Sequence, residues 1–313
     1  MVSAFLAIFE ISIIALFGVI AFHLGFLSKD DTKHLGALVV NITYPLLIFT
    51  NMLKKFPSVA STPLWYILPL LNLALIGGSV LLSFFIAKRV LWIENKKEFV
   101  MTSGFQNGAY LPLILVASLF PSNISSKIFV YIFLFCMFYG VTIITFARYI
   151  FSAKGELSFK ALLNPPLISL IIALSMVYLG IDTKIPHFLF SAFERIGNIT
   201  IPLTLFVLGG SLYFSFIERT PINYPYALLS AFIKLVLIPI IVLFMVVITP
   251  MPSYMKFMLV MEASMPTAFS VTMYTRVFGG RYKLVSQTTL VIYLLSLVTL
   301  PIFTLLALKV SGI

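Results

Sequence analysis

A single cysteine, Cys136, makes an intramolecular disulfide impossible and leaves the redox compartment unread. Charge is nearly as scarce, at 10% of 313 residues, and only ten of those residues are acidic. The aspartates Asp30, Asp31 and Asp182 all fall between long apolar stretches, so an intramembrane aspartyl protease lacks its in-membrane pair. Neither HExxH nor Gly-x-Ser-x-Gly occurs, which removes the zinc-protease and serine-hydrolase signatures. An enzyme is therefore not expected, and no cofactor or metal site is assigned. No stretch alternates apolar with polar residues, as the strands of an outer-membrane barrel would. Met1 to Phe9 carries no Lys or Arg, and Glu10 interrupts the apolar run that follows. A cleaved signal peptide is not expected, and the first stretch should stay.

Apolar residues, by contrast, make up 61% of the chain, and the mean hydropathy is +1.10. A chain of this size cannot hide that much apolar surface from water, so its solvent must be lipid. Ten stretches are long enough to cross as helices: Ala4 to Leu27, Leu35 to Leu53, Leu64 to Ala87, Phe99 to Phe120, Ile128 to Phe151, Leu162 to Gly180, Phe193 to Phe214, Tyr226 to Ile248, Phe257 to Phe278 and Leu284 to Leu308. The expected class is an all-α integral membrane protein, nearly all span and short connection.

The net charge of +11 need not mean nucleic acid, because the cations are placed unevenly. Counting from an outside N-terminus, the odd connections hold Lys29, Lys33, Lys88, Arg89, Lys96, Lys97, Arg148, Lys154, Lys160, Arg219, Arg276, Arg281 and Lys283. The even connections and the C-terminus hold Lys54, Lys55, Lys127, Lys184, Arg195, Lys256 and Lys309. That roughly two-to-one bias predicts both termini outside a cell membrane. No nucleic-acid partner is expected.

"NITYPLLIF" at 41–49 returns as "NITIPLTLF" at 198–206, a shift of 157 residues (198 − 41). The same shift lays the first stretch on the sixth, with Ser12 on Ser169. It also lays the third on the eighth, the fourth on the ninth, and the fifth on the tenth, with Thr142 on Thr299. Five crossings per half is an odd number, so the second half would enter from the opposite side. The expectation is a 5+5 inverted repeat: residues 1–151, a cytoplasmic link at 152–159, and residues 160–313. Such halves can exchange conformations about a central site, which suits a transporter. Channel and receptor are the other membrane classes weighed, and a non-transporting receptor stays open.

The fourth and ninth stretches are each broken near the middle, by "NGAYLP" and by "EASMPT". Proline removes a backbone donor and glycine frees the chain to unwind, so each break leaves peptide groups that lipid cannot satisfy. Two such helices crossing at one depth would satisfy each other and present half-helix N-termini to a carboxylate. Isolated prolines such as Pro69, Pro239 and Pro301 are read as kinks.

Candidate substrate-binding residues are Asn107, Gly108, Tyr110, Pro112, Ser264, Pro266 and Thr267 at the breaks, with Asn41, Pro45 and Phe49 from the repeated motif. Asn41, Thr43, Asn198 and Thr200 have a structural alternative, covering carbonyls that Pro45 and Pro202 strand. Glu262 is the first candidate for a coupling proton or ion, because a carboxylate in mid-membrane must pair, protonate or bind a cation; Gln106 stands beside it in this role. Lys234 is a candidate charge partner, with snorkelling as its alternative. Glu10 is read as interfacial or scaffold-borne, Tyr131 and Tyr139 as packing or wall residues, and His23, His34 and His187 as solvated.

"NITYPLLIF", "QNGAYLPL" and "ASMPTA" in these positions resemble the auxin efflux carrier family, whose fold is similar to that of the bile acid sodium symporters. The resemblance covers essentially the whole chain. It implies a scaffold of helices 1, 2, 6 and 7 and a transport domain of helices 3–5 and 8–10, moving by an elevator-like or rocking motion. It also implies a small organic anion as substrate, a carboxylate, with a homodimer left open. A proton, sodium or the membrane potential alone could drive it; a sodium-coupled symporter of the bile acid type is the alternative. The link Ser152 to Leu157 is too short to be the large cytoplasmic loop of plant members, so a regulatory phosphorylation loop is not expected.

Overall fold

The computed structural model describes residues 2–152, 164–217 and 221–313. Lys154, Lys160, Arg219 and the link between the halves, used above for orientation and domain division, lie outside the described residues apart from Ser152.

Every regular element among the described residues is helical. In order they are α1 (Val2–His23), α2 (Lys29–Leu38), α3 (Tyr44–Ala60), α4 (Leu68–Arg89), α5 (Lys96–Gly104), α6 (Leu111–Leu119), α7 (Ser122–Phe135) and α8 (Tyr139–Phe151). The series continues with α9 (Pro165–Tyr178), α10 (His187–Asn198), α11 (Thr200–Ile217), α12 (Tyr224–Phe232), α13 (Ile238–Ile248), α14 (Ser253–Ser264), α15 (Phe269–Val277) and α16 (Tyr282–Ser311). Seven continuous helical stretches are long and apolar enough to cross a membrane: Ala4–His23, Lys29–Ala60, Trp65–Arg89, Ser122–Phe151, His187–Ile217, Tyr224–Ile248 and Tyr282–Ser311. The sixth apolar stretch yields the shorter α9, and the fourth and ninth are each split in two.

Prolines explain much of this segmentation. In α4, α6, α9 and α12 a proline stands in the first two positions, where its missing N–H would have had no partner anyway, whereas Pro45 and Pro239 follow a π turn inside a continuous helical stretch. Pro69 is therefore a helix start and not the simple kink expected of it; Pro239 lies within the continuous stretch Tyr224–Ile248, and Pro301 lies inside α16. Ahead of Pro45 and Pro239 the chain winds into five-residue π turns, Val39–Thr43 and Ile233–Leu237. Tyr44 N–H then reaches back to Val39 O, and Ile238 N–H to Ile233 O. The hydroxyls of Thr43 and Thr200 are buried without a hydrogen-bond partner, and the Asn41 amide donates to Ala37 O at 2.8 Å. The wider turn, rather than those side chains, adjusts the backbone to the proline.

Lys29–Ala60 begins well before the apolar run from Leu35, because a capping box starts α2 in the charged segment. Asp31 accepts from Ser28 N–H at 2.7 Å while Ser28 accepts from Asp31 N–H. Long outward-facing side chains such as Phe9, Phe85 and Phe244 are exposed, as a lipid-facing exterior requires.

Two helix pairs pack most closely: α1 against α11 and α3 against α9. Glycine permits the first approach. A Cβ on Gly209 would stand 2.2 Å from Ala15 O, and one on Gly18 would stand 2.9 Å from Phe206 Cα. Between α3 and α9, Ser169 donates to Pro45 O, and between α3 and α10 Lys54 pairs with Glu194 at 2.6 Å. Against α16 pack α12, α14 and α15, while α7 packs on α3 and α6 on α1.

Candidate functional site

The helix of the fourth stretch stops at Gly104 and resumes at Leu111; that of the ninth stops at Ser264 and resumes at Phe269. The two breaks meet. Gln106 and Thr267 face each other in an antiparallel bridge, with Asn107 N–H donating to Pro266 O at 2.7 Å and Ala268 N–H to Phe105 O at 3.2 Å. Each unwound segment thus supplies part of the partnership that lipid would deny the other.

Neighbouring side chains satisfy the carbonyls that remain. Thr267 donates to Thr102 O at 2.6 Å, Tyr139 to Gln106 O, and Cys136 to Gly108 O at 3.2 Å. The Asn107 amide donates to the Tyr293 hydroxyl at 2.8 Å, and the Tyr293 ring stacks on Phe269 at 4.5 Å between centroids. Pro112 occupies the start of α6, where its lack of an N–H costs nothing, whereas Pro266 sits inside the break and contributes a carbonyl. Ser264 stays helical, its hydroxyl bonded to Val260 O at 2.6 Å. The second break therefore begins later than the 157-residue shift implies, and Glu262 remains on a helix.

A cavity of about 160 Å³ lies beside the crossing. Asn107, Tyr110 and Leu111 line it from the first break, Ala268, Phe269 and Ser270 from the second, and Tyr139 from α8. Gly36, Val39 and Val40 close it from the region of α2, and Thr204, Val207, Leu208 and Ser211 from α11. No Lys, Arg or His is in that wall. A larger cavity of about 270 Å³ between α4 and α13 has almost wholly aliphatic walls and touches neither break, so the smaller one is the candidate site.

Of the sequence candidates, Asn107 and Tyr110 reach the cavity. Gly108, Pro112, Ser264, Pro266 and Thr267 belong to the framework around it, and Gln106 is fully buried with both amide atoms unpartnered. Asn41 is exposed, Pro45 is buried against α9, and Phe49 packs edge-on to Phe193 at 6.0 Å, so none of the three lines the cavity. Tyr131 stacks on Tyr254, away from the break. His23 lies 3.5 Å from the Tyr213 hydroxyl and His34 4.0 Å from Asp31.

Glu262 stands directly behind the first break: a Cβ on Gly108 would come 2.7 Å from Glu262 Oε2 and 3.3 Å from Cys136 Sγ. Both carboxylate oxygens are buried without a hydrogen-bond partner, and so is the ammonium of Lys234. Among the described residues no three His, Cys, Asp or Glu side chains gather as metal ligands would.

Sequence reading missed Thr102, Phe269, Tyr293 and the role of Cys136. Tyr293 carried a signal, being the one tyrosine in the stretch from Leu284 to Leu308. Tyr293→Phe is expected to speed amide exchange at residues 105–110 by about two- to tenfold, the worth of one ordinary hydrogen bond. Exchange at the wild-type rate would mean that this bond does not hold the break.

The family model for membrane transport proteins matches residues 3–160 and 153–304. An uncharacterized transporter of the yeast Schizosaccharomyces pombe is 31% identical over 116 residues, covering 35% of this chain. The chain spans only 24% of that relative's length. With the family model spanning nearly all of the sequence, the chain belongs to the family of membrane transport proteins, that of the auxin efflux carriers, and is a multi-pass membrane protein.

Proposed function

We propose that the protein is a secondary carrier of small organic anions, working by alternating access with an elevator-like motion. One observation carries this reading. The N-termini of α6 and α15, neither capped by a side chain, converge from two bonded breaks on one cavity. Uncapped first turns present N–H donors and the positive end of the helix dipole, which together hold a carboxylate where no cationic side chain does. The cavity's 160 Å³ is below the roughly 300–1,000 Å³ of sites for drug-sized ligands, which favours a small solute. Its Val39, Val40, Leu111 and Phe269 would face the solute's apolar part, and Asn107, Tyr139, Thr204 and Ser211 its polar groups.

In this reading α9 and the two interrupted pairs also cross, which with the seven continuous stretches gives ten crossings (7 + 1 + 2). In an inverted repeat, exchanging halves turns the pairing of first with seventh crossing into that of sixth with second. Those are the pairs α1 with α11 and α9 with α3, which share the most extensive contacts in the structure, and this supports the repeat. The first, second, sixth and seventh crossings form the scaffold in this reading; the others carry the bonded breaks as a unit. Both termini lie outside a cell membrane in this reading. The solute is moved and not chemically changed.

An inside-negative potential favours anion export by about 2.3 kcal/mol per charge per 100 mV, so export runs without a coupling ion. Import needs a compensating proton, and Glu262 is the group to take it. Lys234, Tyr44, Cys136 and Tyr139 are the titratable groups near enough to feel its charge. In proteoliposomes, Glu262→Gln should abolish the pH dependence of organic-anion flux while leaving ligand-induced thermal stabilisation intact. Flux that keeps its pH profile in the variant would remove Glu262 from this role.

A further inference from the structure

Resting on the reading of Glu262 as the charge at the crossing, we infer that Lys234 is its tethered counter-cation. It takes the electrostatic place that a dissolved metal cation such as sodium would otherwise fill, so the crossing is neutralised from within the chain.

Glu262 lies in the last turn of α14, two residues before the helix ends at Ser264. The C-terminal end of a helix carries partial negative charge, so a carboxylate there is disfavoured twice, by burial and by the dipole. It needs a positive charge nearby, and the cavity wall offers none. Among the described residues Lys234 is the one buried lysine or arginine. It is fully buried, which excludes snorkelling, because a snorkelling lysine brings its ammonium to water. The π turn that carries it packs against α14, α16 and α5, three elements of the crossing's own surroundings. Glu262 and Lys234 are each the charge that acts on the other. They do so through space, since neither has a hydrogen-bond partner. Gly108 stands against Oε2 on one side, and α16 and the π turn both pack against α14, which carries the carboxylate. Thr289 on α16 and Ser230 on α12, one turn before Lys234, contribute further buried hydroxyls without hydrogen-bond partners.

The test reads thermal stability of the purified protein in detergent without any organic anion, so its outcome is independent of whether the protein transports one. Wild-type protein should melt at the same temperature in sodium chloride and in choline chloride of equal ionic strength. Lys234→Ala should melt about 5–10 °C lower, because it strands a buried carboxylate. Methylammonium should raise the melting temperature of that variant and not of the wild type. The double variant Lys234→Ala, Glu262→Gln should melt above Lys234→Ala alone, as coupled charges require. If Lys234→Ala cannot be purified but the double variant can, the pair is equally supported. A sodium-specific rise in the wild type overturns the proposal, and so does a double variant whose losses simply add.

Discussion

Gly209→Ala is expected to lower the melting temperature by at least about 5 °C, or to prevent accumulation of the protein altogether. The added methyl would stand 2.2 Å from Ala15 O, 2.9 Å from Val19 N and 3.1 Å from Gly18 Cα, all backbone atoms. No rotamer can relieve such a contact; α1 and α11 must move apart along their length. In lipid the helices are held by close van der Waals packing and not by exclusion from water, so separation removes what joins them. Gly78→Ala is the control, since a Cβ there meets nothing within 4 Å. Equal melting temperatures for the two variants would show that the close backbone approach does not exist in the protein.

Gly108→Ala is expected to leave the fold intact and cut organic-anion flux by about tenfold to a hundredfold. Displacing a functional group by around an ångström has that order of effect. Here the new methyl would meet Glu262 Oε2 at 2.7 Å and Cys136 Sγ at 3.3 Å. Both are side-chain ends that can yield, so the damage should appear in transport before it appears in stability. Gly140→Ala, with nothing within 4 Å of its Cβ, should transport as wild type does. If the two alanine variants carry solute equally well, the contact between Gly108 and Glu262 is not part of the transport machinery.

Both glycines show how legibility differs between levels of structure. The interruptions were readable because glycine and proline act on their own backbone: "NGAYLP" and "SMPT" contain the residues that stop a helix, whatever surrounds them. The prolines at 69 and 239 were harder. A proline at a helix start and one inside a helix look alike in sequence, and only the structure separates Pro69, at a start, from Pro239, which follows a π turn within Tyr224–Ile248. Gly209 gave no local sign at all, because its role is set by Ala15 on a helix nearly two hundred residues earlier.

The candidate site divides in the same way. Asn107 and Tyr110 were legible as polar groups out of place in an apolar run, and they reach the cavity. Asn41, Pro45 and Phe49 were equally conspicuous as part of a repeated motif, yet Asn41 bonds back to Ala37 O, Pro45 O accepts from Ser169 and Phe49 packs on Phe193. Val207, Leu208 and Ser211 line the cavity and were invisible, since an apolar or hydroxyl residue on a membrane helix looks the same facing lipid, core or solute.

By itself, then, the sequence determined the solvent, the helical class, the places where two helices must break, and the buried charges that demand compensation. Each of these follows from the cost of putting a given group into hydrocarbon, a property of the residue and its immediate neighbours. The tertiary structure decided which breaks bond to each other and which helix ends share a cavity. Those depend on distances between segments far apart in the chain, and no residue carries such a distance in its own chemistry.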